Sequence, residues 1–191
     1  MRFKTIMADP PWPERGGGKV KRGADRHYPT MPVADINALW EVLRPLMHED
    51  SCDLYLWATN NYLRDAMEVV ETWGFRYITL ITWPKPHIGL GQYFRGMTEH
   101  CIFARRGKRP YQMSEDGKRI QGTTLLPVWQ HPERKHSAKP DHLAAWASRV
   151  SPGPRLELFG RQPREGWTVV GNEMSGDDIF VELLKLQGGA Q

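Results

Sequence analysis

Short apolar runs alternate along this chain with apolar residues at helical spacing, and that alternation constrains the fold more than any other feature. Phe3–Ala8, Asp53–Trp57, Arg76–Trp83, His100–Arg105 and Arg155–Phe159 read as buried strands, with shorter ones at Leu125–Trp129 and Thr168–Val170. Between them Ile36, Leu39, Trp40 and Leu43 repeat as one helix face, opened by Pro32 and ended by Pro45. Leu63, Ala66, Met67, Val70 and Trp73 form a second face, with Asn60 and Asn61 as caps and Gly74 as its close. Leu143, Trp146 and Val150 predict a helix over Pro140–Val150, and Ile179–Leu186 predicts a C-terminal one. Strands and helices in this order predict an α/β sheet with helices on both faces. The 191 residues suit a single domain spanning 1–191.

Composition excludes several alternatives. No apolar run approaches the ~20 residues of a membrane span, and the N-terminus has no long apolar segment of the secretory kind. Cys52 and Cys101 are far apart and each sits in an apolar run. That argues against a disulfide scaffold or a zinc site and fits a reducing, cytoplasmic compartment. None of the seven histidines has the spacing of a metal motif, so no metal is expected. The 18 glycines and 15 prolines rule out a helical bundle and mark long loops at 13–29 and 106–124. Loops of that length are usually functional.

The net charge of +4 conceals a pattern. Residues 1–30 carry +4 and 76–140 carry +8, whereas 31–75 carry −6 and 141–191 carry −2. The basic loops at 15–26 and 105–119 could hold a phosphate backbone, with Lys19, Lys21, Arg22, Arg105 and Arg106 as the contacts; the plainer reading is a solvated loop face.

The chemistry is concentrated where the first strand ends in Asp9-Pro10-Pro11-Trp12. Open α/β sheets bind ligands at the carboxyl ends of their strands. This tetrapeptide suits the grip of an exocyclic amino group. The Asp9 carboxylate accepts one N–H, and the Pro10 carbonyl, freed from strand pairing by the prolines, accepts the other. Trp12 offers a flat face to a base, where stacking is worth ~1–3 kcal/mol. The plainer alternative is a turn with Trp12 in the core. Trp57, Trp73, Trp83, Trp129 and Trp146 read as packing residues.

With these residues in view, the chain resembles the DPPW-type, MTA-seventy-like adenine N6-methyltransferases, in their compact bacterial or phage form. The resemblance runs from about Phe3 to Glu173 and rests on several segments in order. They are Asp9-Pro10-Pro11-Trp12, Tyr28-Pro29-Thr30-Met31, Leu56-Trp57-Ala58-Thr59, Trp83-Pro84-Lys85, Thr98-Glu99-His100-Cys101, His136-Ser137-Ala138-Lys139-Pro140, Glu157-Leu158-Phe159-Gly160-Arg161, Gly166-Trp167 and Gly171-Asn172-Glu173. It implies a Rossmann-like class I methyltransferase sheet in permuted order, with the catalytic motif first and the main cofactor strand late. It implies S-adenosyl-L-methionine as cofactor and nucleic acid as partner, DNA more than RNA, with the protein acting as monomer or homodimer.

Roles follow from the resemblance residue by residue. Asp9, Pro10, Pro11 and Trp12 would be catalytic. Asp9, Pro10, His136, Ser137, Lys139, Glu157, Phe159, Arg161, Asn172 and Glu173 would bind the cofactor, with Lys139 on its carboxylate. Trp12, Tyr28 and Pro29 would meet the target base. Lys139 could instead be an exposed helix entry, Glu157 and Arg161 a structural ion pair, and Asn172 a turn residue. The chain also departs from the family pattern. Only eight residues precede Asp9, so an upstream contact to the cofactor's adenine is not expected, and Gln162, Pro163 and Arg164 stand where an Asn is usual. N4 of cytosine remains an alternative target, and a silent nucleic-acid-binding subunit an alternative role.

Overall fold

The computed structural model describes residues 2–13, 30–89, 93–129 and 138–189. One six-stranded sheet organises them: β1 (Thr5–Ala8), β2 (Ser51–Thr59), β3 (Arg76–Pro84), β4 (Thr98–Gly107), β5 (Arg155–Leu158) and β6 (Thr168–Val170). The spatial order is β3-β4-β2-β1-β5-β6. β1 pairs in parallel with β2 on one side and β5 on the other, and β6 continues parallel to β5. β4 runs antiparallel between β2 and β3. The fold is therefore the expected Rossmann-like α/β sheet, and β1 sits where the chain order turns. Such a switch point leaves a crevice beyond the carboxyl end of the strand.

The sheet's alternation sorts its side chains into two cores. Ile6, Ala8, Leu54, Leu56, Ile102, Leu156 and Leu158 face helices α1 (Val33–Leu43), α2 (Leu63–Thr72) and α5 (Ile179–Gly188), which add Ile36, Leu39, Val69, Val70 and Leu183. Met7, Tyr55, Trp57, Ile81, Trp83 and Cys101 face the other way, onto Leu143, Ala144 and Ala147 of α3 (Asp141–Val150). Asp9 continues the Met7 parity and so belongs to the α3 side.

Three local expectations are corrected. Asn60 and Asn61 do not cap α2; they lie in a 3-10 turn, Tyr62 precedes the helix with no side-chain cap, and Asn60 instead bonds Thr98. Leu125–Trp129 forms no strand, only a single bridge from Leu125 to Thr82. β2 and β4 run longer than their apolar runs suggest, because Thr59 pairs with Glu99 and Ser51 with Gly107. A four-residue helix, α4 (Asn172–Ser175), follows β6. No helix of the described residues is long and apolar enough to cross a membrane.

Candidate active site

The turn after β1 is held from several directions. The Trp12 backbone N–H donates to the Pro10 carbonyl at 2.8 Å, and the Met31 N–H donates to the Pro11 carbonyl at 2.8 Å. Trp12 Nε1 donates to the Trp57 carbonyl at 2.9 Å, and the Tyr62 hydroxyl donates to the Pro13 carbonyl at 2.7 Å. These bonds tie the motif to β2 and to the segment after it. A group fixed in this way is preorganised for binding.

Two expectations about this turn change. Trp12 is only 4% exposed, packs in the helix-side core and stacks on Tyr62 with ring centroids 5.7 Å apart. Its ring has no open face for a base, so its place is structural: it pins the turn to Trp57. The Pro10 carbonyl is already bonded to Trp12, which leaves one of its two lone pairs for a ligand.

Asp9 stands at the centre of a charge chain. Lys139 Nζ lies 2.8 Å from Asp9 Oδ2 and 3.3 Å from Glu99 Oε2, and 5.6 Å above the Trp57 ring. Lys85 closes the chain with a salt bridge to the same Glu99. The Lys139 and Asp9 side chains are 19% and 29% exposed, so Lys139 is not an exposed helix entry. Burial pushes the Asp9 carboxyl above its ordinary value, against the pull of Lys139 and, from further off, Arg161. Glu99 is buried too, which would raise it, but Lys139 and Lys85 together hold its carboxyl below the usual range. Sequence reasoning left Glu99 and Lys85 out of the site. A lone carboxylate opening an apolar strand signals a required cation, and that signal was available at Glu99.

The same rim carries the ends of β5 and β6. Phe159 leaves β5 with φ +63°, a left-handed backbone that is costly for an aromatic residue. Gly160 then bonds back to the Val170 carbonyl at 3.0 Å. A Cβ on Gly171 would lie 2.4 Å from the Gly160 carbonyl oxygen, so only glycine permits this approach of the two strand exits. Asn172 is exposed at the start of α4.

Other expected members are placed elsewhere. Glu157 pairs with Arg164 at 2.6 Å, and Arg164 also reaches Asp141. Arg105 is bound to the fully buried Asp53 at 2.8 Å, and Arg106 lies over the Trp40 ring. Asp53 is level with Thr5 in the register, so this cluster lies toward the amino ends of β1 and β2, four residues or roughly 13 Å from Asp9. Arg109, Ser151 and Tyr55 complete it. Arg105 is therefore held by Asp53 rather than turned to a phosphate beside Asp9. Lys19, Lys21, Arg22, Tyr28, Pro29, His136 and Ser137 lie outside the described residues, and the Glu173 side chain is likewise not described. Among the described residues no group of three or more His, Cys, Asp or Glu could hold a metal.

Comparison with known proteins adds the family. The family model described as MT-A70 matches residues 3–173. The chain is 27% identical over 195 residues to a putative N(6)-adenosine-methyltransferase MT-A70-like protein of Medicago truncatula, covering 96% of this chain and 28% of that protein. It is 26% identical over 201 residues to the Type II methyltransferase M.MunI of Mycoplasma sp, covering 94% of this chain and 81% of that protein. It is 26% identical over 191 residues to the human N(6)-adenosine-methyltransferase catalytic subunit METTL3, covering 92% and 29%. The chain thus spans under a third of the plant and human relatives.

Proposed function

This chain belongs to the MT-A70 family, and from that premise we propose that it is an S-adenosylmethionine-dependent methyltransferase acting on the N6 amino group of adenine in DNA. The observation that carries the reading is Asp9 fixed at the carboxyl end of the central strand and paired with Lys139. DNA stands first because the match that spans most of both chains is to a type II methyltransferase. RNA is the second reading, on the strength of the relatives named N(6)-adenosine-methyltransferases. Residues 1–191 are read as one catalytic domain, working as monomer or homodimer.

The residues of the rim suit the cofactor. Its amino-acid end needs an anion for the ammonium and a cation for the carboxylate, and Asp9 and Lys139 supply that pair; Lys is a compact point charge fit for the task. The nucleoside end would lie by the close-packed exits of β5 and β6, with Phe159, Arg161, Asn172 and Glu173 as its proposed contacts. Glu157 acts by holding Arg164. By the family resemblance His136 and Ser137 would join the cofactor contacts, and Tyr28, Pro29, Lys19, Lys21 and Arg22 those of the substrate.

When bound, S-adenosylmethionine supplies an electrophilic methyl group on a sulfonium sulfur. Asp9 accepts one N–H of the adenine amine, and the remaining lone pair of the Pro10 carbonyl accepts the other. Both bonds favour a pyramidal nitrogen and release the lone pair that the ring otherwise holds. Fixing that nitrogen provides a proximity effect of up to ~7–11 kcal/mol. N6 gains a methyl and gives up one proton, which is acidic once the nitrogen is alkylated. No dedicated base is needed to take that proton, which passes to water. A base in a duplex must first leave the stack, at a cost of a few kcal/mol.

Asp9→Asn tests the reading. It keeps the shape and loses the charge, so turnover with labelled donor should fall at least ~100-fold while the fold is kept. Turnover equal to the unmodified protein would overturn the mechanism. No turnover by the unmodified protein on DNA or RNA would leave the silent-subunit role.

A further inference from the structure

We propose that Tyr93 and Phe94 form an aromatic platform on which nucleobases beside the target adenine stack. The inference rests on the nucleic-acid reading above and adds to it a pair of residues that neither the motif nor its charge chain contains.

Tyr93 and Phe94 are the two most exposed of the exposed large apolar side chains, at 92% and 93%. Two adjacent aromatics held almost wholly in water are unusual, and such exposure marks an interaction site. Beyond the paired ends of β3 and β4 the two chain segments stay together. Lys85 N–H donates to the Met97 carbonyl at 2.7 Å, and Gly89 N–H donates to the Gly96 carbonyl at 2.7 Å. Arg95 Nε donates to the Gly89 carbonyl at 2.8 Å. A Cβ on Gly89 would lie 2.8 Å from the Gly96 oxygen, so glycine at 89 allows this close crossing. The two segments thus stay paired as a stem beyond the β3–β4 strand ends, and the aromatic pair immediately precedes the bonded Arg95 and Gly96.

That place adjoins the proposed site. The stem springs from Lys85 and Glu99, the members of the charge chain that leads through Lys139 to Asp9. Phe94 is five residues from Glu99, so it lies within ~18 Å of that carboxylate. On a strand with a rise of ~3.4 Å per nucleotide, that reach covers about five neighbours of the target. The chemistry favours bases over an apolar protein surface. The aromatics adjoin the exposed Arg95 cation, and the stem starts with Lys85. Aromatic side chains flanked by cations match stacked bases strung on phosphates. With Trp12 buried, this pair supplies the open aromatic faces at the rim that the turn itself does not.

The test is fluorescence anisotropy of the full chain with short, labelled single-stranded DNA containing one adenine. Tyr93→Ala and Phe94→Ala should each raise Kd about tenfold, or about 1.4 kcal/mol. The slope of log Kd against log salt should not change, because stacking releases no counterions. Tyr93→Trp should keep the affinity. For the unmodified protein, abasic residues flanking the adenine should weaken binding to a similar extent, which tests the platform without any variant. Equal affinity of the double alanine variant and the unmodified protein, or indifference to abasic flanks, would overturn the proposal while leaving the proposed activity standing. A change of molecular mass by light scattering in the double variant would reassign the pair to a contact between copies of the chain. If the unmodified protein binds no oligonucleotide at all, this inference and the proposed function fail together.

Discussion

Replacing Lys139 by Met removes the cation that Asp9 and Glu99 share and keeps the length and apolar stem of the side chain. Lys139 lies 2.8 Å and 3.3 Å from the two carboxylates. At an effective dielectric of ~20 each attraction is about 5–6 kcal/mol before desolvation is counted. Breaking a buried pair by deleting one partner costs a net ~3–5 kcal/mol. The low end applies here, because Asp9 keeps some exposure and Lys85 still serves Glu99. For a chain of this size a loss of ~3 kcal/mol lowers Tm by about 6–12 °C.

The pH dependence of that loss carries a definite sign. Asp9 already lies above 3.8 through burial, and without Lys139 it rises further. A raised carboxyl makes the ionised form costly in the folded state, so the penalty is full above the folded pKa and fades as pH falls through it. Glu99 acts in the same sense. Its lowered carboxyl stabilises the fold above 4.5 and loses that contribution as pH falls through the lower folded value; Lys139→Met shrinks the contribution. The Tm gap between the two proteins, followed by scanning calorimetry, should therefore narrow from pH 7 to pH 4. His100 titrates in both proteins and largely cancels. No Tm change at pH 7, or a gap that does not vary with pH, would refute the placement of Lys139 between the carboxylates.

Trp12→Phe removes one buried hydrogen bond worth about 1 kcal/mol and should lower Tm by ~2–4 °C, with oligonucleotide affinity unchanged; a large loss of affinity would return Trp12 to the base-stacking role. Arg105→Ala should destabilise the fold by about 1–3 kcal/mol by under-satisfying buried Asp53, yet leave oligonucleotide Kd at fixed salt unaltered. Gly171→Ala forces the exits of β5 and β6 apart and should weaken S-adenosylmethionine at least about tenfold in titration calorimetry; unchanged affinity would remove this contact from the cofactor region.

Much of the fold was legible because its signals are local. The apolar run at Phe3–Ala8 stopped by two prolines marks the central strand, and the repeats at Ile36–Leu43 and Leu63–Val70 mark α1 and α2. What was misread depends on contacts between distant segments. β2 extends to Thr59 because β4, some forty residues on, provides its partner there. Arg105 counted as a loop cation until the register set it against Asp53, 52 residues earlier. A block charge count contains no register, so it cannot separate a buried ion pair from a phosphate contact. The motif itself was found, but the burial of Trp12 depends on Trp57 and Tyr62, which converge on it only in the folded chain. Glu99 and Lys85 gain a shared purpose only through Lys139, 40 residues beyond Glu99, which reaches both Glu99 and Asp9 in the folded chain.

The central claim is that Asp9 and Pro10 present the amine of an adenine to a methyl donor. The most direct measurement incubates the protein with methyl-labelled S-adenosylmethionine and DNA or RNA, digests the product to nucleosides and identifies the labelled one by mass spectrometry. N6-methyladenine nucleoside is the expected product, strongest from DNA. Label on cytosine N4, or none on either polymer, would contradict the account.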